Sequence, residues 1–185
     1  MTGITDYPKE FVQRTLELLD EGYLFFRQRN LEVTFLLNCL LGLIVATSEN
    51  IRKCESGFFK RRLTNNEIVG SVPRKIKYVS ESKMGQYINK QKKENQSFSY
   101  NSNEEKNTEI NLFETGNDIA LITVIDKIRN GVAHQNIKPI NKNGRWSGIL
   151  IWNINKYGIR DFEVEFDIYE LETFARFVAS KYLSE

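Results

Sequence analysis

Apolar positions recur at helical spacing near the start of the chain, where Phe11, Thr15, Leu18, Leu19, Gly22, Tyr23 and Phe26 step along one face. Asp6 and Pro8 stand ahead of them as a capping residue and a first-turn residue, so a first helix opens there. A break near Arg29-Asn30 leads into Leu31 to about Thr47, which is apolar on most sides and reads as a central helix. The two helices should form an antiparallel hairpin. From Ser48 to Ile110 the pattern weakens. Pro73 and several glycines interrupt it, and only short groups such as Gly57-Phe58-Phe59 and Ile76-Lys77-Tyr78-Val79 offer local packing. Glu94 to Asn111, rich in Asn, Ser and Glu, reads as the most mobile stretch.

Periodicity returns at Thr115, which with Asp118 resembles a capping box, and a helix is expected from about Asp118. Ile119, Ile122, Ile125, Ile128 and Val132 mark its apolar face, widened by Ala120, Leu121 and Val124, and Pro139 is expected to close it. Ile149 to Ile154 is a strand candidate, and Asn155-Lys156-Tyr157-Gly158 supplies turn chemistry. The partner strand follows, with Phe162, Val164 and Phe166 alternating with Glu163, Glu165 and Asp167. Asp167 and Glu170 then form a capping box for a last helix whose inward stripe is Ile168, Leu171, Phe174, Ala175, Val178 and Tyr182. The fold class is mainly α: a helical bundle with one β-hairpin before the C-terminal helix.

At 185 residues the chain is expected to be one domain, 1–185, with a basic, partly flexible insertion around 50–110. Cys39 and Cys54 are too few for a disulfide framework and lack metal-ligand spacing, and Cys39 reads as a buried thiol. The first residues show no basic patch followed by an apolar core, which speaks against a secretory signal. Leu31 to Ala46 is shorter than the roughly 20 residues needed to span a bilayer and carries Glu32 and Asn38. A cytoplasmic location without membrane contact is expected. Those two polar residues either support from behind the apolar helix expected from about Asp118 or are satisfied buried groups.

Charge is unevenly spread. The net charge is +2, yet Asn50 to Tyr100 holds 12 Lys or Arg against 4 Glu. That segment either faces a polyanion or is a solvated, lysine-rich insertion. Arg61, Arg62, Arg74, Lys75 and Lys77 are its candidate phosphate contacts, and Tyr78, Tyr87 and Tyr100 its candidate stacking residues.

The chemistry concentrates elsewhere. The sole histidine, His134, closes the string Arg129-Asn130-Gly131-Val132-Ala133-His134 at the C-terminal end of the apolar helix. Histidine is the side chain that both takes and gives a proton near neutral pH. Arg129 supplies a planar cation for a phosphate, and Asn130 an amide to hold the imidazole or a ribose. On a helix Asn130 and His134 lie about 40° apart, while Arg129 is rotated about 140° from His134 and flanks the pair. These are the parts for cutting a phosphodiester without a metal, and no cofactor is called for. Gly131 and Ala133 permit close approach of a partner helix or an RNA backbone, unless Gly131 simply sits where a helix end frays. The reaction needs both a base and an acid, and one histidine cannot stand in both places. Two-fold symmetry would supply the second, so a homodimer is expected.

Ile128 to His134 also resembles the signature of the HEPN superfamily, the higher-eukaryote-and-prokaryote nucleotide-binding domains, with an apolar residue before Arg, then Asn, and Ala before His. The resemblance implies a helical, HEPN-like bundle and a metal-independent endoribonuclease with Arg129, Asn130 and His134 in a composite dimer site. It further implies RNA as substrate, 2′,3′-cyclic phosphate and 5′-OH products, a toxin or defence role, and an antitoxin or nucleotidyltransferase as partner. A non-catalytic nucleotide- or RNA-binding or dimerisation module of the same family is the alternative. A purely structural dimer, with Arg129 and Asn130 capping helix carbonyls, is the third.

Overall fold

A computed structural model of the chain describes residues 7–51, 57–73, 75–93 and 119–185. Asp6, Cys54, Thr115, Asp118 and the segment from Glu94 to Asn111 lie outside the described residues. Five α-helices are described: α1 (Tyr7–Gln28), α2 (Glu32–Ile51), α3 (Glu81–Lys93), α4 (Leu121–Ala133) and α5 (Ile168–Leu183), with a 3-10 turn at Phe58–Lys60. Four strands accompany them: β1 (Lys75–Tyr78), β2 (Ile137–Lys142), β3 (Arg145–Ile154) and β4 (Arg160–Asp167). The architecture is mostly helical, with one antiparallel sheet ordered β1-β4-β3-β2.

The expected helical hairpin is present. Val12, Thr15 and Leu19 form the buried face of α1, and Phe26 stacks on Phe35 of α2 with ring centroids 4.4 Å apart. Leu18, placed by periodicity on the inward face, lies at its edge and is exposed. Helix α2 is central, packing against α1, α4 and α5 through residues that include Leu36, Leu40, Leu43 and Ile44. Cys39 is buried there as a free thiol, and burial pushes its pKa up. Glu32 opens α2 and Asn38 is exposed, so Asn38 is not a buried support for another helix. Helix α5 starts as expected. The Glu170 amide donates to Asp167 Oδ1 at 2.7 Å, and the Asp167 amide donates to Glu170 Oε2 at 3.1 Å.

The single hairpin expected before α5 is real but belongs to a larger sheet. Strands β3 and β4 pair, and Asn155 Oδ1 organises their turn by accepting from the amides of Tyr157 and Ile159. Ile149, Ile151, Phe162, Val164 and Phe166 are buried against the helices, while Glu163 and Glu165 point to the other face. Two more strands complete it. Pro139, expected only as a helix stop, lies inside β2 opposite Ile149, on an edge strand where a missing N–H is tolerated. Asn143 and Gly144, both with positive φ, make the two-residue turn into β3. On the other side β1 pairs with β4. The weakly patterned region therefore contributes to the main core, with Phe58, Phe59, Leu63 and Ile68 buried in it.

Helix α4 starts at Leu121, three residues later than its periodicity suggested. Its N-cap, Ala120, has no side-chain acceptor, and the Arg61 carbonyl accepts the Leu121 amide instead. Its buried face runs through Leu121, Val124, Ile125, Ile128, Gly131 and Val132. Gly131 is not at a frayed end: a Cβ there would stand 2.5 Å from the Trp152 carbonyl oxygen and 2.8 Å from Ile151 Cγ2. The glycine lets the helix backbone rest on β3 of its own chain.

Beyond α4 the chain reverses in a Schellman motif. The Gln135 amide donates to the Val132 carbonyl at 3.0 Å and the Asn136 amide to the Gly131 carbonyl at 2.8 Å. The left-handed position is Gln135, φ 57°, in place of the usual glycine. Asn136 then accepts from the Trp152 amide and starts the pairing of β2 with β3.

Two substitutions test this junction in opposite directions. Gly131→Ala should destabilise the protein, because overpacking of about 1–3 kcal/mol exceeds the roughly 1 kcal/mol gained in helix propensity. Its melting temperature should fall by several degrees. Gln135→Gly removes left-handed strain of about 1–2 kcal/mol against a glycine entropy cost of about 0.5–1 kcal/mol. Thermal unfolding should show a rise of roughly 1–4 °C, at about 2–4 °C per kcal/mol for a chain of this size.

Candidate active site

The polar face of α4 is set by its buried one. With the apolar residues against α2 and β3, Lys127, Asn130 and His134 fall at spacings of three and four along the adjoining side, within about 60° of one another. Arg129 emerges on the other flank and reaches back, its Nη1 donating to Asn130 Oδ1 at 3.3 Å. The side-chain bond formed by Asn130 is thus to Arg129. Among the described residues none is formed between Asn130 and His134.

His134 is the C-cap residue. Its amide donates to the Asn130 carbonyl at 3.0 Å, so the backbone is fixed by the helix's last turn while the side chain is exposed. No hydrogen bond holds its imidazole among the described residues. Arg129 and Asn130 are half-buried. A fixed backbone carrying an exposed imidazole, next to a guanidinium held by an amide, is a geometry that can meet a phosphodiester from solvent.

On the Asn130 side α4 borders a cleft of about 520 Å³. Its floor is a buried polar cluster that the sequence reading missed. Lys127 Nζ donates to Asp161 Oδ2 at 2.5 Å, and Asn153 Nδ2 donates to Asp161 Oδ1 at 2.7 Å. Asn153 and Asp161 are 4% and 6% exposed. Asp161 stands two residues before the outward-facing Glu163 and would itself face outward in a regular strand. The register instead shifts there, Asn153 facing Phe162 and Ile154 facing Arg160, so that Asp161 is an extra residue. This bulge turns its carboxylate toward α4. The turn residues Asn155, Lys156 and Tyr157 close one side of the cleft, and Tyr78, Val79, Met84 and Gly85 the other.

The basic candidates lie elsewhere. Lys75 and Lys77 sit on the sheet face away from α4, ion-paired with Glu165 and with Glu163, the latter at 3.1 Å. Arg61 pairs with Glu67 and its guanidinium lies over Phe58. Arg62 is exposed and its backbone bridges to Ala120, at the end of α4 opposite His134 and roughly 20 Å from it along the helix. Arg74 and Tyr100 lie outside the described residues, as does the side chain of Tyr87. Within one chain, Arg129, Asn130 and His134 are brought together, and Arg61, Arg62, Lys75 and Lys77 are not brought to them.

No described helix is long and apolar enough to cross a membrane. No curated protein and no solved structure matches the chain. A family model described as HEPN pEK499 p136 does match, over residues 1–185. With that match spanning every position, the chain belongs to the HEPN family.

Proposed function

We propose that this protein is a metal-independent endoribonuclease whose catalytic groups are Arg129, Asn130 and His134, with the whole chain, 1–185, acting as one HEPN domain. The observation that carries this reading is the exposed His134 imidazole on a fixed helix end beside the Arg129–Asn130 pair. Family membership supports it, since nuclease or nucleotide-binding modules are what HEPN domains supply.

The reaction follows from the groups. One imidazole takes the proton of a ribose 2′-OH, and the 2′-oxygen attacks the adjacent phosphorus. The bond from phosphorus to the 5′-oxygen breaks, and a second imidazole, protonated, gives its proton to that oxygen. The products are a 2′,3′-cyclic phosphate and a 5′-OH end. Arg129 meets the charge that develops on the phosphoryl oxygens, and Asn130 orients the guanidinium. The two proton transfers need two histidines, and the chain has one. A two-fold homodimer places the partner's His134 opposite the first.

The test is cleavage of RNA in EDTA with the ends mapped. His134→Ala should lower the rate by about 10²–10⁴-fold, and Arg129→Ala by about 10²–10³-fold, each with an unaltered melting curve. Sedimentation should show a dimer. Loss of activity on chelation, full activity in His134→Ala, or an active monomer would each refute the mechanism. RNA bound with an Arg129 dependence but never cut would make the chain a binding module instead.

A further inference from the structure

The cleft beside Asn130 has a use that the cleavage chemistry does not require. Its volume, about 520 Å³, is that of a site for a small molecule or a single nucleotide. Its floor carries Lys127, Asp161 and Asn153, and an ion pair so nearly buried adds little over a well-packed apolar pair. The strand bulge that aims Asp161 inward is a further departure from regular structure at the same point. What the cluster does offer is a set of donors and acceptors held in place. Asp161 balances Lys127 on the floor, and the remaining cation of the lining, Lys156, stands at the turn over the Tyr157 ring, where a phosphate attached to a seated base would meet it. Tyr78 and Tyr157 add aromatic faces, and Val79 and Met84 apolar surface. Hydrogen-bonding edges under aromatic walls fit a flat, neutral, heteroaromatic ring.

We propose that this cleft is a nucleobase subsite, which binds one base of a single-stranded RNA next to the phosphate to be cut. The proposal rests on the reading of Arg129, Asn130 and His134 as an RNA-cleaving site. Asn130 joins the two: it lines the cleft, and its Oδ1 accepts from Arg129. A base seated on the floor therefore directs its sugar and phosphate along α4 toward Arg129 and His134, and selects which nucleotide is presented.

Gly85 of α3 provides the test. It lines the cleft, and a Cβ built on it meets nothing within 4 Å, so a large side chain enters open space. The four nucleoside 3′-monophosphates and ribose 5-phosphate are titrated into the full chain by calorimetry. At least one nucleotide should bind saturably, ribose 5-phosphate at least tenfold more weakly. Gly85→Phe should weaken the nucleotide tenfold or more with an unchanged melting curve. Tyr157→Ala, in an exposed turn, should weaken it as well and serves if Gly85→Phe folds poorly. Ribose phosphate binding as tightly as every nucleotide, or wild-type affinity in the folded cleft variants, overturns the subsite. RNA cleavage that depends on His134 without base binding removes the cleft and keeps the nuclease. Base binding without cleavage does the reverse.

Discussion

The contact between the backbone of α4 and the backbone of β3 at Gly131 governs the arrangement of the site. A helix ordinarily stands off a sheet by the thickness of its side chains. Here the Trp152 carbonyl oxygen lies 2.5 Å from where a Cβ would stand, so the last turn of α4 is seated directly on the strand. That seating aligns the end of the helix with the start of β2. The Asn136 carbonyl then meets the Trp152 amide one residue after the left-handed Gln135. The direction in which His134 leaves the fold is fixed by the same contact, because the imidazole belongs to the residue between the helix and the reversal.

The same seating divides α4 into two working faces. Leu121, Val124, Ile125, Ile128 and Val132 join the core shared with α2 and the sheet. Lys127 and Asn130 are left beside the β3–β4 turn, where the bulge at Asp161 meets them. The cleft and the candidate catalytic residues thus have one origin in the rotation of one helix about its axis.

Much of this was legible in the sequence and some was not. Long periodic segments gave α1, α2, α4 and α5, and local chemistry gave the Asp167 cap and the Asn155 turn, because each signal lies within a few residues. Strand β2 was hidden by Pro139, which reads as a stop in a helix and equally suits an edge strand. The Asn143-Gly144 pair was the available sign of a hairpin there. Strand β1 is four residues long and exists by pairing with β4, which follows it by more than eighty residues. A charge count along the chain leaves out partners of this kind: the carboxylates opposite Lys75 and Lys77 are Glu165 and Glu163, distant in sequence and adjacent in the sheet. Arg129, Asn130 and His134 stand out as candidates in the sequence because they lie within one six-residue string. The cleft floor does not, because Lys127, Asn153 and Asp161 belong to three elements and a bulge leaves no mark on hydrophobic alternation.

Departures from local rules occur in several places, a left-handed Asn30 between α1 and α2 and a register shift at Ile140 and Asn141 of β2 among them. Helix α5 and most of β4 are self-consistent, with a complete capping box and strict alternation from Phe162 to Phe166. Around the end of α4 the chain accepts a glycine inside a helix, a left-handed glutamine, a bulged strand and an ion pair largely withdrawn from water. Two of these raise the free energy of the folded state relative to a simpler alternative at the same place: the left-handed glutamine relative to glycine, and the ion pair relative to an apolar pair. Alanine at position 131 is denied by the Trp152 carbonyl, so that glycine is forced by packing. Features of this kind mark the surface as a candidate functional one. That surface is the one on which Asn130 lies between the cleft and His134.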